Sequence, residues 1–196
     1  MQKRPIKICL VGTHGVGKTG LANAIAAAFI ARGIPTYTIT EIARELARLE
    51  PYTVKINEET TLQAQAKILE YQFAREREAE TLPYQVIVTD RGFDNYIYME
   101  RKFGSQLKYE AFVLKHLIDH PYTLIVKVPV TQNVLMYDGM RSVDIAFQKD
   151  IDKRLDEFMK KHNIKYITLP EPVMPYREDW TYRILKHLKT QLPGLV

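Results

Sequence analysis

Eight residues near the start of the chain, Gly12 to Thr19, read G-T-H-G-V-G-K-T and satisfy the pattern G-x-x-x-x-G-K-[ST] in full. This loop constrains the fold more than any other feature, because it needs a strand before it and a helix after it. Both flanks comply. The apolar run Ile6-Lys7-Ile8-Cys9-Leu10-Val11 precedes it, and Leu21, Ile25, Ala28 and Phe29 follow at the spacing of one helix face. The glycines let backbone N–H groups converge on a polyphosphate, and the helix N-terminus adds partial positive charge. Gly12, Thr13, His14, Gly15, Val16, Gly17, Lys18, Thr19 and Gly20 are therefore expected to cradle a nucleoside triphosphate. Lys18 would reach the β- and γ-phosphates, and the Thr19 hydroxyl would face Mg²⁺. The His14 side chain falls at an unconstrained position of the motif and receives no chemistry.

A chain of 196 residues with 46% hydrophobic content can bury one sizeable core, so a single domain over 1–196 is expected. No run is long enough to cross a membrane, and no signal-peptide pattern opens the sequence. Cys9 is the one cysteine. It lies within the first predicted strand and reads as a small buried residue of a reducing, cytoplasmic protein. The net charge of +5 and the pI of about 9.1 invite a nucleic-acid partner. Acids are interleaved with the bases, however, as in Asp152-Lys153-Arg154, Asp156-Glu157 and Lys160-Lys161. A polyphosphate substrate explains the excess equally well, so nucleic acid is left open but not favoured. A homodimer is left open too.

Strand-like and helical runs alternate, which predicts an α/β fold on a parallel sheet. Strands are expected at Ile6–Val11, Thr36–Thr40, Gln85–Thr89, Thr123–Val128 and Lys165–Leu169, with Gly33-Ile34-Pro35 breaking the first helix. A long helix is predicted from Glu58 to Glu80, capped by Asn57, with Leu62, Ala66, Leu69 and Phe73 as its buried stripe. Later helices carry Phe147, Ile151, Leu155 and Phe158, and then Trp180, Ile184 and Leu188.

Open parallel sheets bind ligands beyond the carboxyl ends of their strands. The second strand ends at Glu41, one helical turn before Arg44, and the third ends at Asp90-Arg91. Asp90 is placed to organise Mg²⁺ or to accept a proton; the alternative is a cap for the next helix. Arg91 stands where ATP-driven motors usually carry a water-activating Glu, which argues against a dedicated hydrolase and suits an anion clamp. Glu41 is read as a base or hydroxyl acceptor and Arg44 as its anion clamp, or else as a first-turn ion pair. Gln65, Gln72 and Glu76 form a polar stripe that would line an acceptor pocket, or in which at least one residue faces solvent. Asp94, Asn95 and Tyr98 mark a helix start close enough to reach the same site. Between residues 131 and 145, the stretch around Asp138-Gly139-Met140-Arg141 reads as a lid with Arg141 at its centre, or as a surface loop ahead of Asp144 as helix cap.

Taken in order, Gly12–Thr19, Glu41-Ile42-Ala43-Arg44-Glu45, Gln65…Gln72…Glu76, Asp90-Arg91…Asp94 and Asp138-Gly139-Met140-Arg141 make the chain resemble the phosphate-loop kinases of nucleosides and nucleotides. The nearest resemblance is to the small ATPase/kinase-like family that includes the nicotinamide riboside kinase domain. It implies a three-layer phosphate-loop NTPase fold, with a five-stranded parallel sheet and helices on both faces. It also implies ATP and Mg²⁺ on Lys18, Thr19 and Asp90, an acceptor site at Asp90-Arg91, and Arg141 in a short lid. One departure stands out. Typical monophosphate kinases carry several lid arginines, whereas Arg141 is the one arginine between Pro129 and Phe147. That argues against a monophosphate kinase of that type and leaves a neutral nucleoside-like acceptor open, within an expected phosphoryl transfer from ATP to a small nucleoside- or nucleotide-like acceptor. The sequence holds no N-K-x-D motif of a guanine-reading switch. An ATPase or nucleotide-dependent switch acting on a macromolecular partner, and a polynucleotide end kinase, remain as alternatives.

Overall fold

A computed structural model describes residues 4–50, 60–130, 144–171 and 176–191. Its elements run β1 (Ile6–Val11), α1 (Lys18–Ile30), β2 (Thr36–Ile39), α2 (Ile42–Leu49), α3 (Leu62–Thr81), β3 (Val86–Thr89), α4 (Asn95–Phe103), α5 (Leu107–Asp119), β4 (Leu124–Lys127), α6 (Ile145–Lys161), β5 (Ile167–Thr168) and α7 (Tyr176–Gln191). The five strands form one sheet in the order β2-β3-β1-β4-β5. Every pairing is parallel: Ile8 lies opposite Val88 on one side and Leu124 on the other. This is the α/β architecture expected from the sequence.

Alternation along the strands divides the core into two layers. Ile8, Leu10, Val86, Val88, Leu124 and Val126 face α1 and α7, where Leu21, Ile25, Phe29, Trp180 and Ile184 complete one cluster. Cys9, Val11 and Ile125 face the opposite way, against Leu69 and Phe73 of α3, Tyr96 and Ile97 of α4, and Leu155 and Phe158 of α6. Each fully buried large side chain contributes about 1.5–3 kcal/mol, so these layers, rather than helix propensity, hold the elements in place. Helix α2 packs Leu46 against Ala64 and Ile68 of α3 and so bridges the sheet edge where β2 ends.

Strands β2, β3 and β4 lose one residue at an end or at each end against the sequence expectation, and two elements differ by more. Helix α3 begins at Leu62, and its cap is Thr61, whose hydroxyl accepts from Ala64 N at 3.1 Å. Asn57, the predicted cap, lies outside the described residues. Strand β5 shrinks to Ile167–Thr168, which pair with Val126 and Lys127 of β4. The expected break after α1 is present: Gly33 sits at φ 74°, and Ile34 N donates back to Phe29 O at 3.1 Å. Most of the lid segment, Arg141 included, lies outside the described residues. Among those described, no helix is long and apolar enough to cross a membrane.

Candidate active site

Because all strands are parallel, their carboxyl ends share one edge, and the loop after β1 opens there. Gly12 takes φ 148°, and an added Cβ would lie 2.8 Å from Val128 O, so no side chain fits where the loop passes β4. Gly17 caps α1 in the left-handed region at φ 85°. Lys18 curls over the loop, with Nζ donating to Gly12 O and Thr13 O at 2.6 Å each. These carbonyls hold the ammonium group above the N-terminus of α1.

Three oxygens from three elements meet next to it. The Thr19 hydroxyl lies 2.5 Å from Asp90 Oδ2 and 3.1 Å from Glu41 Oε1. Glu41 adopts φ 60° and ψ 22°, a left-handed conformation unusual for a residue with a Cβ. That turn starts α2 and brings the Glu41 carboxylate to the loop, while its second oxygen pairs with Arg44 Nη1 at 2.8 Å. Burial pushes the Asp90 carboxyl above its ordinary range and the nearby Glu41 adds to this, against the opposing pull of Thr19, Arg91 and Lys18. Asp94, not Asp90, stands at the N-cap of α4.

The remaining wall comes from α2, α3 and α4. Ile42, Ala43 and Arg44, Gln65 and Ile68, and Arg91, Asn95 and Tyr98 line a cleft continuous with the loop residues His14 to Thr19, Glu41 and Asp90. The Arg91 guanidinium lies over the Tyr98 ring at 4.9 Å, donates to its hydroxyl at 3.4 Å, and pairs with Asp94 Oδ2 at 3.5 Å. Burial works against its charge, but Tyr98 and Asp94 outweigh that effect and its pKa is raised.

The structure divides the sequence candidates. Lys18, Thr19, Glu41, Arg44, Gln65, Asp90 and Arg91 share the cleft. Gln72, two turns beyond Gln65 on α3, is fully buried beneath the Asp90-Arg91 turn rather than on the wall, and Glu76, one turn further along, is fully buried too. Asp94 is also behind the wall, accepting from Gly92 N at 2.8 Å. Arg141 falls outside the described residues.

Polarity at the strand ends does not mark the other contacts. The apolar wall residues Ile42, Ala43 and Ile68 belong to this group; the spacing of Ile68 one turn after Gln65 was the available clue. His14 packs its ring 5.0 Å from Phe147 and 6.3 Å from Tyr98. Its carbonyl accepts from Gln148 Nε2 at 2.8 Å, tying the start of α6 to the phosphate loop across 134 residues of sequence. Asp144 does cap α6, accepting from Ala146 N at 2.8 Å and Phe147 N at 3.2 Å.

A family model described as an AAA domain matches residues 7–177. Solved structures of NadR protein share the fold at 16% identity. One, in complex with NR, gives a TM-score of 0.68 over 95% of this chain and 50% of that one. Another, in complex with NAD and AMP-PNP, gives 0.67 over 93% and 49%. The chain thus spans about half the length of these structures, and identity this low speaks for the fold alone. None of the curated proteins matches.

Proposed function

The chain belongs to this family of AAA domains, phosphate-loop and kinase-like, and on that premise we propose that it transfers a phosphoryl group from ATP to a small nucleoside- or nucleotide-like acceptor. The observation that carries the reading is the continuation of the cleft past Thr19. Arg44, Gln65, Asn95 and Tyr98 supply polar groups there, and Ile42, Ala43 and Ile68 an apolar surface. Such a wall suits a second, partly apolar substrate, whereas a hydrolase needs only water. Arg91 in place of a water-activating Glu points the same way. The NadR structures, which share this fold over about half their length, are complexes with NR and with NAD and AMP-PNP, in keeping with small ligands of this class.

Mg²⁺ fits the donor set, since the Thr19 hydroxyl and the Asp90 carboxylate are hard oxygen donors already in contact. When bound, the ion would neutralise charge on the β- and γ-phosphates. The protein's own groups do the rest. Loop N–H groups and Lys18 hold the phosphates, and Lys18 leaves its carbonyl partners to do so. Glu41 accepts the proton of the attacking hydroxyl, and Arg44 keeps its carboxylate aimed. Arg91, fixed by Tyr98 and Asp94, clamps the transferring group or an anionic acceptor. In-line transfer then depends on positioning.

ATP turnover in the presence of Mg²⁺ and a panel of nucleosides, nucleoside monophosphates and nicotinamide riboside tests the reading. ADP release that depends on one class of acceptor is expected. Turnover that is the same with and without every acceptor would overturn it in favour of an ATPase.

A further inference from the structure

Beneath the cleft lies a buried ionic cluster that the phosphoryl chemistry does not use. Lys7 of β1 and Glu76 of α3 are 1% and 0% exposed and pair at 3.3 Å. Glu76 also meets His116 Nε2 at 3.1 Å, the Tyr122 hydroxyl at 2.9 Å and Gln72 Nε2 at 2.9 Å. Burying such a pair is an inefficient route to stability, because desolvation cancels much of the attraction. Burial on its own would raise the Glu76 carboxyl, but the hydrogen bond from His116 and the charge of Lys7 hold it below the ordinary range. As a carboxylate, Glu76 can only accept. His116 therefore carries its proton on Nε2, and Gln72 must turn its NH₂ toward Glu76.

That orientation has a consequence at the site. The same Gln72 nitrogen lies 2.9 Å from Thr89 Oγ1 and 2.9 Å from Arg91 O. The Thr89 hydroxyl donates to Arg91 O as well. A flipped amide would set its oxygen against two acceptors, the Glu76 carboxylate and the Arg91 carbonyl. On the other side of the turn, Asp90 N donates to Ile39 O of β2 at 3.1 Å. The Asp90-Arg91 turn is thus pinned at its amide by the sheet and at its carbonyl by Gln72 and Thr89.

We propose that Gln72, its amide aimed by the buried Glu76, is a positioning residue that holds the Asp90-Arg91 turn in the geometry that presents Asp90 to the metal. This inference rests on the reading of Asp90 as a metal-side carboxylate. Nucleotide binding separates the two. ADP affinity is measured by calorimetry with Mg²⁺ and with EDTA, and the ratio of the two affinities reports the metal linkage without any acceptor or turnover. Asp90→Asn should abolish the linkage. Gln72→Met should keep the metal-free affinity and lose about ten- to a hundredfold of the linkage, the usual effect of removing a group that orients a metal ligand. Thr89→Val, close to isosteric, should lose part of it and serves where Gln72→Met does not fold.

A purely structural role for Gln72 lowers the melting temperature and leaves the ratio alone. Full linkage in Gln72→Met, or in Thr89→Val where that variant stands in, beside lost linkage in Asp90→Asn overturns the positioning role by itself. Full linkage in Asp90→Asn overturns the metal reading and the positioning role with it.

Discussion

Glu41 shows how much of the site is settled at single residues. A Glu at φ 60° costs about 1–3 kcal/mol relative to relaxed backbone, and this one persists beside a phosphate loop. Glycine adopts that conformation freely. Glu41→Gly should therefore leave the melting temperature unchanged or raise it, while transfer falls by about 10²- to 10⁴-fold with loss of the proton acceptor. A variant that melts several degrees lower yet still turns over at the wild-type rate would contradict this account of Glu41. The residues flanking strand ends were legible in the sequence because parallel strands deliver their carboxyl ends to one edge, and Glu41, Asp90 and Arg91 follow that rule. Gln72 was not. Its place on the helix differs from that of Gln65 by two turns, and in that distance α3 passes from the cleft to the interior.

Elements obey sequence signals as far as those signals are local. The phosphate loop, the Gly33 break and the Asp144 cap are each written in a few adjacent residues, and each forms where expected. The sequence reading caps α3 at Asn57, four residues ahead of the Thr61 that caps it. The structure selects Thr61, because buried Ala64, Gln65 and Ile68 set the register from Leu62 onward. Thr61→Ala should cost about 1 kcal/mol, or roughly 2–4 °C in melting temperature for a chain this size. An unchanged melting temperature would show that another group caps the helix. Lys7 is the converse case. Within β1 it reads as one charge in an apolar run, and its partner Glu76 lies on an element 55 residues downstream at its nearest end, Leu62.

Across the whole molecule, the buried cluster predicts how the fold responds to acid. Burial holds His116 below its ordinary 6.5, outweighing the favourable contact with Glu76, and its Nδ1 has no hydrogen-bond partner among the described residues. The unfolded chain then takes up a proton near 6.5 that the folded one refuses, so stability falls as pH drops below that value. Glu76, held below its ordinary 4.5, contributes stability above 4.5 that is lost as pH falls through its lower folded value. Each group contributes a slope of at most about 1.4 kcal/mol per pH unit. Calorimetric melts should show a decline that starts near pH 6.5 and steepens below 4.5, with His116→Gln flattening the upper part. Identical profiles for the two proteins would remove His116 from the account.

The central claim is that the cleft joins a nucleotide to a second substrate, and the bond formed is its most direct witness. In ³¹P NMR of a turnover mixture with ATP, Mg²⁺ and an acceptor, the account predicts a phosphoester or diphosphate resonance of the acceptor that grows in step with ADP while inorganic phosphate lags. ADP and inorganic phosphate rising in equal amounts with every acceptor tried would contradict it.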